Sequence, residues 1–163
     1  MRYRDCPTIE VSQRMSGTVA EAWALVTDIA FPTYCTGELI NVHWLDGADK
    51  VAVGARFKGT NGGDGSQWET ISVITEVEPE SRWVWNVLSE GGTYAASWGF
   101  EVEPASDGII VRQWGRLGPG PSGLTPAIEA MPDKEARIVS RRLQDWRVGM
   151  EANLQEIAER LSR

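Results

Sequence analysis

The chain has 163 residues, 42% hydrophobic and 24% charged, with a formal net charge of −7. These values are typical of a globular protein, and the length suits one domain with a substantial core. The negative charge disfavours nucleic acid and anionic membrane surfaces as partners. We therefore expect no nucleic-acid binding, no membrane insertion, and a hydrophobic or weakly polar small molecule as the partner.

Cysteine and histidine are too sparse for a metal or redox centre. Cys6 and Cys35 form no CxxC pair, and His43 is the single histidine, so a Cys/His zinc set is incomplete. We expect no disulfide framework, no metal and no other cofactor. Because no leader-like segment opens the chain and no apolar run approaches membrane length, we expect a soluble, cytoplasmic protein.

The first predicted elements are a strand and a helix. Residues 1–7 are predicted to be a loose arm, and the alternation over Thr8–Met15 predicts a strand. Thr18 is followed three residues later by Glu21, the spacing of a capping box. Apolar residues then follow at helical spacing over 19–26, which predicts the first helix.

The following hundred residues predict an antiparallel sheet. A short helix over Phe31–Thr36, started by Pro32, comes before it. Turn signals such as LDGAD and NGGDGS separate segments of strand-like composition. Short connections favour antiparallel hairpins between consecutive strands. The predicted strands are 39–45, 54–61, 67–78, 82–89, 93–103 and 108–117.

The chain ends in a predicted long helix. Residues 118–126 form a Gly/Pro-rich connector, which we expect to be ordered over a cavity mouth. Asp133 is the predicted N-cap, and only Gly149 interrupts good helix formers from there to Arg163. An apolar stripe at three- and four-residue spacing runs along this helix. Its members are Ile138 or Val139, Leu143, Trp146, Met150, Leu154, Ile157 and Leu161.

This order of elements predicts one α+β domain over residues 1–163 with a helix-grip architecture. A curved antiparallel sheet of about seven strands has one apolar face that must be covered. The C-terminal helix is the only element long enough to cover it, with two short helices after the first strand. A sheet curled round a helix leaves space between them, which is filled by large side chains or open to a ligand.

The sequence resembles the START-like superfamily, also called SRPBCC, of polyketide cyclase/dehydrase and lipid-transport proteins. The segments that carry the resemblance include GTVAEAWALVTD, WETISVITEVEPESRWVWNV and RRLQDWRVGMEANLQEIAERL. The resemblance covers nearly the whole chain. It departs from many relatives at residues 33–38, TYCTGE, where they have a Trp-Ser-Pro-Glu-like segment.

The resemblance implies a cavity between the sheet and the last helix that binds or carries a polyketide, lipid or isoprenoid. The alternative is a polyketide cyclase or dehydratase that uses the same cavity, so whether the protein is an enzyme stays open. The sequence also leaves open whether the protein forms a homodimer. A protein-interaction module would need an exposed apolar patch, which the sequence does not identify.

Tryptophan is the unusual feature of the composition, with eight residues. Indoles two residues apart on a strand share one face, and they either pack as core or line a cavity, where an N–H finds a partner. The predicted ligand-binding residues are Tyr34, Trp44, Phe57, Trp68, Trp83, Trp85, Trp98, Phe100, Trp146 and Met150.

Polar residues offer few catalytic candidates. His43 alternates with Trp44, so it faces outward if Trp44 faces inward. Cys35 has no second histidine to serve as its base, so we interpret it as a small buried residue. Glu76 shares the parity of Trp68 and would be a buried general acid or base unless a β-bulge intervenes. The catalytic residues are therefore unknown from the sequence.

Overall fold

Seven antiparallel strands form a single sheet in the computed structural model, which describes residues 1–63 and 65–163. The sheet order is β1-β7-β6-β5-β4-β3-β2, so β1 and β2 form its two edges. Every strand but the first pairs with its neighbour in the chain, as the short turns predict. The strands are β1 (Thr8–Met15), β2 (Leu39–Trp44), β3 (Arg56–Gly63), β4 (Ser66–Glu78), β5 (Arg82–Leu88), β6 (Tyr94–Ala105) and β7 (Gly108–Leu117).

Short helical segments lie between β1 and β2 and again after β7. Helix α1 (Val19–Val26) begins at the predicted capping box: the Glu21 amide donates to Thr18 Oγ1 at 3.2 Å, and the Thr18 amide donates to Glu21 Oε1 at 3.0 Å. The second predicted helix is a 3₁₀ turn over Phe31–Tyr34. Helix α2 (Thr125–Ala130) follows the Gly/Pro-rich connector and was not predicted from the sequence.

Helix α3 (Glu135–Leu161) is the long C-terminal helix and packs against β1 and β7. Its 27 residues span about 40 Å. The predicted N-cap at Asp133 is wrong, because Asp133 lies in a 3₁₀ turn and Lys134 is the residue that precedes the helix. The predicted stripe is buried over most of its length, at Val139, Leu143, Trp146, Met150, Leu154 and Ile157. The predicted helix-grip fold is thus confirmed.

A polar pair lies within the apolar interface between α3 and the sheet. Asn153 Nδ2 donates to Gln113 Oε1 at 3.1 Å, and both side chains are buried. Gln113 therefore faces α3, and alternation along β7 turns Trp114 to the convex face. There its indole covers Gly99 and lies 5.4 Å from the Arg82 guanidinium.

A β-bulge in β4 changes the face on which Glu76 lies. The register with β5 shifts between Ile74 and Glu76, so Ile74 pairs with Trp85 whereas Glu76 pairs with Val84. Glu76 is therefore exposed on the convex face, where it forms an ion pair with Arg82 at 3.1 Å. The alternative of a buried acid–base residue is thereby overturned.

The N-terminal arm is anchored, which corrects the expectation that residues 1–7 are loose. Tyr3 begins a 3₁₀ turn, and its hydroxyl donates to the Gly120 carbonyl at 2.7 Å. Its backbone amide donates to Glu135 Oε2, also at 2.7 Å. Burial raises the pKa of the Tyr3 phenol above its ordinary value. The arm therefore joins the Gly/Pro-rich connector to the first turn of α3.

Among the described residues, none of the helices has the length and apolar character needed to cross a membrane.

Candidate ligand-binding site

The concave face of the sheet and the facing side of α3 carry what we call the aromatic cluster: Trp44, Phe57, Trp83, Trp85, Trp98, Phe100 and Trp146. Trp83 and Trp85 stack at 4.3 Å between ring centroids, because residues two apart on β5 project to one face. Trp98 is the cross-strand partner of Trp85, and their rings lie 6.4 Å apart within 13° of parallel. Strand pairing thus assembles these rings from distant parts of the chain.

The middle of the aromatic cluster is packed core. The Trp98 and Trp146 rings lie 4.1 Å apart, so the sheet and α3 touch directly at this level. Trp83 is 2% exposed, and its Nε1 donates to the Val26 carbonyl at 3.0 Å, which satisfies the indole. A ligand between the Trp98 and Trp146 rings would have to displace one of them.

A cleft of about 400 Å³ opens at one end of the cluster, where α1 ends beside the β2–β3 loop and the β4–β5 turn. This volume is within the usual range of small-molecule sites. Its lining residues are Trp23, Thr27, Asp28, Ile29, Trp44, Asp49, Lys50, Val51, Val77 and Pro79. We call this feature the Trp23–Trp44 cleft.

Local structure on the α1 side fixes one wall of the Trp23–Trp44 cleft. Thr27 ends α1 and its Oγ1 donates to the Trp23 carbonyl at 2.6 Å. Asp28 then accepts a hydrogen bond from the Ala30 amide at 3.0 Å. These two bonds hold the turn after α1 in place, so Trp23 remains at the edge of the cleft.

The opposite wall belongs to the β2–β3 loop. Asp46 adopts a left-handed conformation, with φ of 56°, and accepts from Arg56 Nε at 2.9 Å. That hydrogen bond holds the pKa of the Asp46 carboxyl below its ordinary value. This hydrogen bond joins the two ends of the β2–β3 loop. The residues that follow Asp46 then bring Asp49, Lys50 and Val51 to the cleft.

Trp44 joins the cleft to the interior. It lines the cleft and also contacts Phe57 edge-on, with ring centroids 5.8 Å apart. Phe57 in turn lies 6.3 Å from Trp85. A ligand in the cleft would thus meet the outermost ring of the aromatic cluster.

The cleft combines an apolar wall with charged groups. Trp23, Ile29, Val51 and Val77 supply apolar surface, while Asp49 and Lys50 are exposed residues of the lining. An apolar body with one polar end is the complement of this arrangement.

The far end of β4 carries a different grouping. Arg142 on α3 contacts both carboxylate oxygens of Glu38 at 2.9 Å. Its guanidinium lies 5.7 Å from the Trp68 ring and 5.8 Å from the Trp146 ring. Trp146 Nε1 is buried and has no hydrogen-bond partner among the described residues. Arg142 thus lies between Trp68 at the start of β4 and Trp146, which packs on Trp98 in the middle of the aromatic cluster.

The predicted site residues separate into three environments. Of the ten, Trp44 lines the Trp23–Trp44 cleft. Tyr34 and Trp68 lie outside the aromatic cluster and are 67% and 39% exposed. The other seven, Phe57, Trp83, Trp85, Trp98, Phe100, Trp146 and Met150, belong to the core or pack against it.

Sequence reasoning missed most of the cleft. Trp23 was interpreted only as one of the apolar residues at helical spacing in the first helix, and Val51 lies in a loop without periodicity. Strict alternation along β4 would turn Val77 to the convex face, but the bulge after Ile74 turns it to the concave face. The one sequence signal for the cleft was the hydrophobic pattern of α1, because this pattern includes a large indole, Trp23, near the end of the helix.

His43 and Cys35, the two residues weighed as catalytic candidates, lie in different environments. His43 is exposed, while Trp44 faces inward. Cys35 is half-buried, and its thiol donates to the Phe31 carbonyl at 3.8 Å. Burial raises the pKa of the Cys35 thiol, and the nearby Glu156 carboxylate adds to this. These effects oppose formation of a nucleophilic thiolate.

Over residues 1–63 and 65–163, no three potential metal-ligating side chains converge.

The sequence of the chain matches a known protein family. The model of the family described as polyketide cyclase / dehydrase and lipid transport matches residues 7–161. The chain belongs to this family, which confirms the predicted resemblance. Membership supports, in general terms, hydrophobic ligand binding or a cyclase-type role. None of the curated proteins compared with the chain matches it significantly.

Solved structures share the fold. A polyketide-cyclase-like protein from Corynebacterium glutamicum is 24% identical, with a TM-score of 0.67 over 95% of this chain and 91% of that one. The di-domain ARO/CYC protein StfQ of the steffimycin biosynthetic pathway is 18% identical, with a TM-score of 0.72 over 98% of this chain and 52% of that one. Ara h 8.0201 is 13% identical, with a TM-score of 0.60 over 93% and 97%.

Proposed function

We propose that this protein binds and carries a hydrophobic or amphipathic small molecule, of polyketide, lipid or isoprenoid type. The ligand's apolar body lies in the Trp23–Trp44 cleft, and its polar end is at Asp49 and Lys50. The observation that carries the proposal is the cleft itself: about 400 Å³ of space whose inner wall, Trp44, is continuous with the aromatic cluster.

The packing of the cluster supports a cleft-based site in preference to a site in the middle of the interior. The contact between Trp98 and Trp146 leaves no gap at the centre, whereas the cleft needs no rearrangement to admit a ring. A longer ligand would have to part Trp44 from Phe57, because these rings are in edge-on contact and Phe57 is buried.

Affinity in the micromolar range is the physical expectation. Apolar burial contributes about 25 cal/mol per Å², and loss of ligand freedom offsets much of it. Asp49 and Lys50 are exposed, so their interactions with a polar group are screened and weak. The polar end therefore orients the ligand more than it tightens binding.

A matched pair of variants in the β2–β3 loop tests the proposal. Val51 lines the cleft, whereas Val53 is 66% exposed and lies outside it. Calorimetric titration with a neutral probe, 2-ethylnaphthalene, should show binding to the wild type and to Val53→Trp. Val51→Trp fills the cleft and should weaken binding of the probe about tenfold. This factor corresponds to the loss of roughly 60 Å² of apolar surface that the probe would otherwise bury.

Equal affinity in Val51→Trp and the wild type would contradict the proposal. Mass spectrometry of the purified protein distinguishes the carrier from the cyclase alternative. A carrier releases the bound molecule unchanged, whereas a cyclase converts an added poly-carbonyl substrate to a product that has lost water.

A further inference from the structure

We infer that the Trp23–Trp44 cleft selects an amphipathic organic cation, a hydrophobic molecule whose polar end is a protonated or quaternary amine. This inference rests on the proposed function and narrows its ligand class by charge. None of the described lining residues belongs to α3, so the selection takes place outside the interface between the sheet and that helix.

Two aspartates stand on opposite walls of the cleft. Asp28 follows α1, and Asp49 lies in the β2–β3 loop. Asp28 Oδ1 accepts a hydrogen bond from the Ala30 amide at 3.0 Å, which fixes the direction of this carboxylate and leaves Oδ2 for a ligand. A carboxylate accepts hydrogen bonds and cannot donate them. The complementary group of a ligand is therefore a donor that carries positive charge.

The charged groups of the cleft are not neutralised by their neighbours. Asp28, Asp49 and Lys50 take part in none of the ion pairs that residues 1–63 and 65–163 form. Asp46 of the same loop differs, because Arg56 contacts its carboxylate at 2.9 Å. Two carboxylates and one ammonium group leave the lining of the cleft with an excess of negative charge.

The β4–β5 turn adds to this negative charge. Val77 and Pro79 line the cleft, and the residues beside them, Glu78 and Glu80, are exposed. The whole chain carries a formal net charge of −7. A cleft with low-dielectric walls and mostly one sign of charge raises the local concentration of ions of the opposite sign. A cation therefore enters this cleft more readily than an anion of the same size.

Two indoles provide a further attraction for a cation. Trp23 and Trp44 both line the cleft and are half-buried. The face of an indole attracts an ammonium or guanidinium group that lies within about 6 Å of the ring centroid. Trp114 already has such a partner, since the Arg82 guanidinium lies 5.4 Å from its ring. Trp23 and Trp44 have none among the described residues, so this attraction is available to a ligand.

Lys50 does not reverse the preference for a cation. Its side chain is exposed, and a lysine ammonium on its flexible stem extends into water at little cost. Asp28, in contrast, is held at the wall by the Ala30 amide. A ligand carboxylate that approached Lys50 would remain close to Asp49, the adjacent residue in the chain.

Three probes that share a naphthalene ring test the inference: 2-naphthylethylammonium, 2-ethylnaphthalene and 2-naphthylacetate. Calorimetric titration at low salt should rank the ammonium compound first, the hydrocarbon second and the carboxylate last. The ammonium compound should bind about fivefold more tightly than the hydrocarbon, the factor expected for one exposed ion pair combined with a cation–π contact. Added salt should reduce this difference, because exposed charges are screened.

Asp49→Asn and Asp133→Asn form a matched pair of variants. Asp49 lines the cleft, whereas Asp133 is an exposed residue of the 3₁₀ turn before α3 and lies outside the lining. Each variant removes one negative charge, so the pair separates a local effect from an effect of net charge. Asp49→Asn should weaken binding of the ammonium compound about threefold and leave the affinity for 2-ethylnaphthalene unchanged. Asp133→Asn should change neither affinity.

Two results would overturn the inference. The first is an affinity of the wild type for the ammonium compound that is no higher than its affinity for the hydrocarbon or the carboxylate. The second is equal weakening by Asp49→Asn and Asp133→Asn, or weakening by neither. Both results leave the proposed function standing as long as Val51→Trp weakens binding of 2-ethylnaphthalene. Failure of the proposed function would instead appear as no binding of any probe, or as binding of all three that Val51→Trp does not alter.

Discussion

Trp98 of β6 and Trp146 of α3 meet at 4.1 Å between ring centroids, directly above Gly115 of β7. Gly115 is the cross-strand partner of Trp98. A side chain at this position would occupy the space that both indoles use. The closest contact between the helix and the sheet therefore depends on the absence of one Cβ atom.

Gly115→Ala should destabilise the protein. The added Cβ would lie 2.9 Å from Trp98 Cζ3 and from Trp146 Cε3, and overpacking of this kind costs about 1–3 kcal/mol. Urea unfolding followed by circular dichroism measures the change. An unaltered midpoint would show that the two indoles separate without cost.

Gly149→Ala should have the opposite effect. Gly149 lies within α3, and a Cβ there would meet no heavy atom within 4 Å. Alanine is favoured over glycine in a helix interior by about 0.8–1 kcal/mol. The same urea titration should therefore show a higher midpoint, and a lower one would contradict the geometry of α3 at this turn.

Leu154→Ala tests whether the stripe of α3 is core. Leu154 is fully buried, so truncation should cost about 2–5 kcal/mol. Val148 is half-exposed on the same helix, and Val148→Ala should change the free energy of unfolding by less than about 0.5 kcal/mol. Similar values for the two variants would show that the stripe does not face the sheet.

Cys35 should titrate at a pH above that of an ordinary thiol. Burial and the Glu156 carboxylate both disfavour the thiolate, so the thiolate fraction at neutral pH is lower than in the unfolded chain. Alkylation of Cys35 by iodoacetamide, followed by peptide mass spectrometry, should reach half its maximal rate at a higher pH in the folded protein than in urea. A lower midpoint in the folded protein would identify an activated cysteine.

Local sequence patterns predicted most of the fold because each strand and helix carries its own signal. The three-residue spacing of Thr18 and Glu21 correctly predicted the capping box, and clusters of Gly and Pro marked the turns. The alternation on β5 correctly placed Trp83 and Trp85 on one face. All of these are relations between residues that are close in sequence, and such relations can be recognised from local sequence patterns.

The cleft was not predictable in the same way, because its walls come from loops and from a register shift. Val51 lies in a segment without periodicity, and the bulge after Ile74 exchanges the faces of Glu76 and Val77. The hydrogen bond between Gln113 and Asn153 was also missed, since alternation allowed either Gln113 or Trp114 to face α3. In each case a contact between distant segments decided the outcome.

The indole N–H signals of the eight tryptophans provide the most direct test of ligand binding in the Trp23–Trp44 cleft. A ¹⁵N–¹H correlation spectrum recorded during titration with 2-ethylnaphthalene reports each indole separately once single Trp→Phe variants assign the signals. The account predicts that Trp23 and Trp44 shift progressively and saturate together, while Trp114 on the convex face does not move. Shifts confined to Trp114, or no saturable shift at Trp23 and Trp44, would contradict it.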